Sequence, residues 1–254
     1  MPLDLTRLRA LAPGREIVWS ETVDSTMHEA VRRAEAGCES GLVVGADEQT
    51  AGHGRYQRAW HSERDSGLYF SIVLRLAGVE PASFPVVTFA LGLAVADAVE
   101  QLAGVACDLR WPNDVLVNDR KCCGILAQLH GSAVVAGIGV NLNQLAFSPD
   151  IAAIATSLRI ESGRVQSRET LLAALLDAID RHCAILAAEG RERIFDLFAR
   201  ASSYVSGRRV TVELGGREVT GCTAGLTPEG FLRLRRDGRG EEIVMAGGVR
   251  PEEC

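Results

Sequence analysis

The chain has 254 residues, 47% of them apolar, and a formal net charge of -6 with a pI near 5.5. A chain of this size buries most of its unfolded surface without help from disulfides or metal, and at roughly 150 residues per domain it accommodates one large domain and one small one. No Lys/Arg stripe of the kind that follows a phosphate backbone is present, which argues against nucleic acid as a partner. The apolar runs are each broken short of the roughly 20 residues that span a bilayer, and the N-terminus lacks a basic-then-apolar signal, so neither export nor membrane insertion is expected. Seven cysteines, without Cys-x-x-Cys or Cys/His zinc spacing, read as buried free thiols of a reducing cytoplasm.

After a leader punctuated by Pro2, Pro13 and Gly14, residues 16–20 have strand character. Asp24, Ser25 and Thr26 then offer capping oxygens to a helix in which Met27, Ala30, Val31 and Ala34 recur at helical spacing until Gly37. Residues 41–46 suit a buried strand. That strand opens into residues 47–66, a polar, glycine-containing stretch without periodicity. Loops near 20 residues are usually functional or mobile, and this one is expected to order around a ligand.

Residues 68–76 resume strand character. Ser83 and Pro85 open a helical stripe of Phe89, Leu93, Ala96, Val99 and Leu102 that closes at Gly104. Two β-prone runs, 115–117 and 122–129, are joined by the turn dipeptide Asn118-Asp119 and predict a hairpin. A strand over 134–140 follows, ending in Asn141-Leu142-Asn143. Ser167 can cap a helix carrying Leu171, Leu172, Leu175, Ile179 and Leu186, and Gly190 separates it from a second helix with Ile194, Leu197 and Phe198. From Gly207 the pattern alternates through Val210, Val212 and Leu214, with turns at Gly215-Gly216, Pro228-Glu229-Gly230 and Asp237-Gly238. The expected architecture is α/β, a mixed sheet flanked by helices over residues 1–205, followed by a small β domain over 206–254.

Three constellations carry chemistry. Gly52-His53-Gly54-Arg55 with Arg58 lies in the long loop, where glycines permit close backbone approach and guanidiniums suit phosphate. No Gly-Lys-Ser/Thr follows, so this is no Walker A loop, and by itself the pattern also fits a solvated loop. Arg110-Trp111-Pro112-Asn113-Asp114 faces Lys121 and Gly124 across the hairpin. Asp114 could hold Mg²⁺ while Lys121 neutralises phosphate or carboxylate oxygens; an ordinary surface ion pair fits the spacing equally. Gly137 and Gly139 share one strand face, which accommodates either a flat object such as a planar ring or a closely packed helix. No Gly-x-Ser-x-Gly elbow or His-Glu-x-x-His helix occurs, and His28, His53, His61, His130 and His182 are scattered, so acyl-enzyme chemistry is not expected.

Taken together the constellations resemble the biotin protein ligases. The likeness runs through Asp24-Ser25-Thr26, through Gln49 to Arg58 and Trp60, through Ser66 to Ser71, through Arg110 to Asp114, through Asp119 to Leu126, and through Gly137 to Asn143. It implies a catalytic fold similar to class II aminoacyl-tRNA synthetases, a C-terminal SH3-like β-barrel, and pairing through the sheet in some members. It also implies an enzyme that condenses biotin with ATP, using Mg²⁺, and passes biotin from biotinyl-5′-AMP to a lysine of a carboxylase's carrier domain.

By that resemblance Ser25, Thr26, Met27, Gln49, His53, Gly54, Arg55, Lys121, Gly124, Gly137 and Gly139 bind biotin. Arg55, Arg58, Trp60, Asn113, Lys121 and Asn141 bind the nucleotide. Lys121, Arg55 and Asp114 are the implied catalytic residues, with Asp114 either at the metal or supporting the incoming lysine. Two positions depart from the family pattern. His53 stands where Arg is usual, which weakens retention of the adenylate, and Arg110 replaces a Lys. The short leader before Glu16 does not accommodate the helix-turn-helix of bifunctional members, so control of transcription is not expected. The competing expectations are a lipoate or octanoate ligase of related fold, and a sensor that binds biotin or adenylate without turnover.

Overall fold

A computed structural model of the chain describes residues 2–76, 84–214 and 216–252. The expected cap at Ser83 and the first glycine of the Gly215-Gly216 turn lie outside the described residues.

The leader contains a short helix that the sequence did not disclose, α1 (Leu5–Leu11), started by Asp4, whose carboxylate accepts from the Arg7 amide at 3.0 Å. Then follow β1 (Ile17–Val23), α2 (Thr26–Glu35), β2 (Val43–Gln49) and β3 (Leu68–Leu74). β1 extends three residues beyond the expected strand, and β2 runs on through Gln49 because Thr22 and Val23 supply parallel partners at Glu48 and Gln49. Next come α3 (Phe84–Ala103), β4 (Asp108–Arg110), β5 (Asp114–Val117), β6 (Arg120–His130) and β7 (Ala133–Val140). The first sheet has the order β1-β2-β3-β7-β6-β5-β4, with one parallel pair, β1 and β2, and antiparallel pairs elsewhere. β3 is buried at every position, the signature of a strand covered on both faces.

The predicted hairpin turn forms at Asn118 and Asp119, both at positive φ (49° and 59°), as a tight two-residue connection demands. β5 and β6 do not pair uniformly. Asp114 faces Gly124 and Val115 faces Cys123, but Leu116 faces Lys121, so Cys122 is an extra residue in β6. Such a β-bulge resets the side-chain alternation. Lys121 and Gly124, three positions apart, therefore lie on the same face as Asp114.

α4 (Leu158–Ser162), α5 (Arg168–Glu189) and α6 (Arg191–Arg200) complete the first layer. Ser167 caps α5 as expected, accepting from the Thr170 amide, and Gly190 divides α5 from α6. Phe89 of α3 stacks on Phe198 of α6 with centroids 4.2 Å apart. The 18 residues Val86–Ala103 are apolar enough to cross a membrane, contrary to the expectation that every apolar run is short, but 72% of that stretch is buried inside the fold. It is the core helix, covered by α5 and α6.

The second sheet comprises β8 (Ser206–Leu214), β9 (Arg217–Leu226), β10 (Leu232–Arg236), β11 (Gly240–Val244) and β12 (Val249–Pro251), antiparallel in the order β11-β10-β9-β8-β12. Among the described residues β11 and β12 do not pair, so the expected SH3-like barrel is an open five-stranded sheet. β12 has only three residues and ends in Pro251, which lacks the N–H that a closing ladder requires. Arg208 stacks 4.0 Å over the Tyr204 ring at the junction between the sheets, and Trp111 donates its indole N–H to the Gly230 carbonyl at 3.0 Å.

Candidate active site

One cleft of about 520 Å³ receives the three constellations. Its inner end is built by the start of α2 and the end of β2. The Gln49 amide oxygen accepts from the Thr26 amide at 2.9 Å and from the Thr26 hydroxyl at 3.1 Å, while its amide nitrogen donates to Ser62 Oγ. Gln49 thus caps α2 from 23 positions away. Ser25, although at the N-cap position, makes no capping bond, and Asp24 accepts from the Ser25 amide instead. Ser71, on β3, closes this polar network against the Thr26 hydroxyl at 2.9 Å.

The face of β7 settles the alternatives left open for its glycines, and it uses both. A Cβ at Gly137 would lie 2.9 Å from Met27 Cγ of α2, so that glycine admits a helix. At Gly139 a Cβ would lie 2.5 Å from the Trp60 indole, and at Gly124 it would lie 2.9 Å from both that indole and Lys121 Nζ. The flat object on this face is the chain's own Trp60. Its indole N–H is buried without an acceptor, a donor that a ligand oxygen could use.

The glycine loop folds back on itself: the Trp60 amide donates to the Gly52 carbonyl and the Gly54 amide to the Arg58 carbonyl. The Gly54 amide is therefore already engaged in this arrangement. His53 lines the cleft and packs against His28, with centroids 5.4 Å apart. Arg55 Nη1 donates to the Asn113 side-chain oxygen and to the Gly247 carbonyl, both at 3.1 Å. Asn113 in turn donates to the Ile125 carbonyl. Arg58 leans toward Glu213 of β8 at 3.7 Å on the exposed rim.

At the hairpin, Asp114 joins two cations: Lys121 Nζ at 2.6 Å on one oxygen and Arg110 Nη2 at 2.7 Å on the other. Burial raises the Asp114 carboxyl, but Lys121 and Arg110 together outweigh it and hold the group below its ordinary value. Lys121 Nζ also sits 5.4 Å over the Trp60 ring. The Lys121 backbone is gripped on its other edge, its amide donating to the Ile154 carbonyl and its carbonyl accepting from the Thr156 amide. Asn141 donates its side-chain amide to the Thr156 and Lys121 carbonyls, at 3.0 and 3.3 Å, and so braces this segment from behind.

The donor set does not fit a resident magnesium ion. Both Asp114 oxygens are committed to cations, and no cluster of three His, Cys, Asp or Glu that could hold a metal occurs among the described residues. An ion used with a nucleotide would be held mainly by phosphates and water.

All the residues implied for biotin, nucleotide or catalysis line this one cleft, including Arg55 and Lys121 together, whereas Asp24 and Gly52 lie outside its lining. Sequence reasoning missed the rim formed by Phe147, Asp150, Ile151 and Ile154, and the contribution of Gly247 to Val249 from the second sheet. It also missed Arg168, buried at the start of α5, which pairs with Asp47 at 2.8 Å and Asp65 at 3.4 Å and so grips both stems of the glycine loop. The Gly247-Gly248 doublet was the one available signal; the rim and the clamp have none in local spacing.

A mixed sheet that brings a glycine-arginine loop and a lysine-carboxylate pair to a single cleft can hold a carboxylate and a phosphate side by side, as an acid-activating ligase requires. Residues 19–144 match the model of the Biotin/lipoate A/B protein ligase family, and residues 205–249 match that of the Biotin protein ligase C terminal domain. The chain belongs to the biotin protein ligase family. It is 33% identical to the biotin–[acetyl-CoA-carboxylase] ligase of Mycobacterium tuberculosis, over 98% of this chain and 95% of that protein. To the bifunctional ligase/repressor BirA of Bacillus spizizenii it is 34% identical over 66% of this chain, and it spans only about half, 54%, of that relative. Among solved structures, the biotin protein ligase of Aquifex aeolicus in complex with biotin and ATP superposes with a TM-score of 0.82 at 29% identity, covering 93% of this chain and 99% of that one. The Leishmania major enzyme in complex with biotinyl-5-AMP superposes at 0.65 with 26% identity, over 91% and 99% of the two chains.

Proposed function

We propose that the chain is a biotin protein ligase with two steps in one pocket. In the first, an oxygen of the biotin carboxylate attacks the α-phosphorus of ATP and pyrophosphate leaves, giving biotinyl-5′-AMP. In the second, a lysine amine of a carboxylase's carrier domain attacks the acyl carbon, the carbonyl carbon–oxygen bond to phosphate breaks, and AMP leaves as the amide forms. The observation that carries this reading is the convergence of Arg55 and Lys121 on a single cleft.

The chain's own residues divide the work. Ser25, Thr26 and Gln49 offer the polar inner end for the ureido ring, with Met27 and Trp60 as apolar walls. Lys121 offsets charge that builds on the carboxylate and phosphate oxygens, an electrostatic contribution that is commonly the largest in such transfers. Asp114 holds Lys121 in place. Arg55, anchored by Asn113 and Gly247, closes the loop over the nucleotide. A division into a catalytic domain to residue 205 and a C-terminal β domain from 206 accompanies this reading, with the second sheet reaching the cleft through Gly247 to Val249.

The test is to incubate the protein with ATP, Mg²⁺, a carrier domain and biotin, lipoate or octanoate in turn, and then weigh the carrier. A mass gain from biotin alone is expected. A gain from lipoate but not biotin would reassign the acid, and adenylate without transfer would make the protein a sensor.

A further inference from the structure

The chain contains one lysine. Of its 27 basic residues 26 are arginine, and the exception is Lys121. This composition has a chemical meaning at a site of this kind. An acyl-adenylate is a mixed anhydride that acylates any free amine: the nitrogen lone pair attacks the acyl carbon, AMP departs with the electron pair of the broken carbon–oxygen bond, and the nitrogen loses a proton. A guanidinium does not react in this way, because it stays protonated and its electrons are delocalised.

The single side-chain amine is engaged by a carboxylate. Lys121 Nζ lies 2.6 Å from an Asp114 oxygen, and Asp114 is fixed in turn by Arg110 at 2.7 Å. An ammonium held by a carboxylate serves as a charge and not as a nucleophile. Its Nζ also lies 5.4 Å from the centroid of the Trp60 ring. The thiols alongside are closed off as well: Cys122 and Cys123 are both fully buried, and burial pushes the Cys123 thiol far up. On the exposed surface by the loop, where lysine is an ordinary residue, the cations are Arg58 and Arg64, with side chains 71% and 47% exposed.

Building on the ligase reading above, we propose that this chain presents no acylatable side-chain amine to its own intermediate: every other basic residue is arginine, and its one lysine is held in an ion pair by Asp114. The carrier's lysine then has no side-chain amine on the enzyme to compete with it. Intermediate lost from the cleft passes along a surface that offers it no side-chain amine, which offsets the weaker retention expected from His53.

The test supplies chemically prepared biotinyl-5′-AMP, so that its outcome is independent of turnover, to the full chain and to two variants that each add a lysine. His61→Lys places the amine on the exposed cleft rim, and Arg217→Lys places it on the second sheet, at a side chain 65% exposed. Peptide mapping by mass spectrometry separates side-chain adducts from acylation of an α-amine. The expected result is a mass shift of one biotinyl group at each added lysine and none at Lys121 in any of the three proteins. Biotin on Lys121 of the unmodified chain, or the absence of adducts at both added lysines, would overturn the proposal. Biotin-dependent pyrophosphate exchange, measured separately, tests the ligase reading, so the two failures are told apart.

Discussion

Arg55 and Asn113, 58 positions apart in the chain, meet through a 3.1 Å hydrogen bond from the guanidinium to the side-chain amide oxygen. The residue after Asn113 is Asp114, which holds Lys121 at 2.6 Å. The glycine loop and the hairpin are thereby joined, and the two cations face one cleft across a bridge of two consecutive residues.

Replacing Lys121 tests the chemistry directly. Lys121→Ala is expected to lower biotin-dependent pyrophosphate exchange by about 10²- to 10³-fold, the scale of losing one preorganised charge from a transition state. Its thermal unfolding temperature should fall only modestly, because the strand pairing is made by the backbone and Asp114 keeps Arg110 as a partner at 2.7 Å. Near-normal exchange would remove Lys121 from the reaction.

Asp114 makes a prediction about acid. Its carboxyl lies below the ordinary value of 3.8, because Lys121 and Arg110 outweigh burial. A group depressed in the folded state contributes stability that is fully present above its unfolded value and is lost as pH falls through the folded one. Asp114→Asn leaves two cations uncompensated and should cost about 3 kcal/mol by denaturant unfolding near neutral pH. That difference should stay flat down to about pH 4 and shrink only below it. A gap that closes between pH 7 and 5 would contradict the arrangement.

Two glycine-to-alanine changes should act in opposite directions. A methyl at Gly139 would lie 2.5 Å from the Trp60 indole, so Gly139→Ala is expected to displace the ring, alter tryptophan fluorescence and destabilise by about 1–3 kcal/mol. At Gly92, inside α3, the nearest atom to an added Cβ is Leu109 Cδ2 at 3.7 Å, which is ordinary contact. Gly92→Ala should stabilise by about 0.5–1 kcal/mol through reduced unfolded-chain entropy. Thermal unfolding of the pair, with fluorescence of the first, checks both.

The loop predicts a pattern of amide exchange. Gly54 and Trp60 amides are internally bonded, while the stretch around them has few buried apolar anchors. Adding biotinyl-5′-AMP should slow exchange across residues 50–66 while leaving β3 unchanged. Equal rates in the two states would show that the ligand does not order this loop.

Much of this protein is local and so was legible in the residues. Asn118 and Asp119 tolerate positive φ, which is enough to specify the hairpin, and the stripe from Phe89 to Leu102 is enough to specify α3. Ser167 and Gly190 mark the limits of α5 through side-chain capping and backbone freedom. The cleft residues were legible only through the family resemblance, since each constellation by itself also fits a solvated loop, a surface ion pair or close helix packing. Helix α1 escaped notice because its cap, Asp4, precedes a sequence with only one buried side chain, Leu8.

What only the tertiary structure decided is which face each residue shows and which distant groups meet. Strict alternation would send Lys121 and Gly124 to opposite sides of the sheet; the bulge at Cys122 brings both to Asp114. Gln49 capping α2, Arg168 gripping both stems of the loop, and Gly247 accepting from Arg55 arise between segments whose separation carries no periodic signal. Among the described residues the second sheet is open, with β11 and the three-residue β12 at its two edges. Periodicity and turn chemistry act over a few residues, whereas register shifts and long-range hydrogen bonds are settled only when the whole core packs.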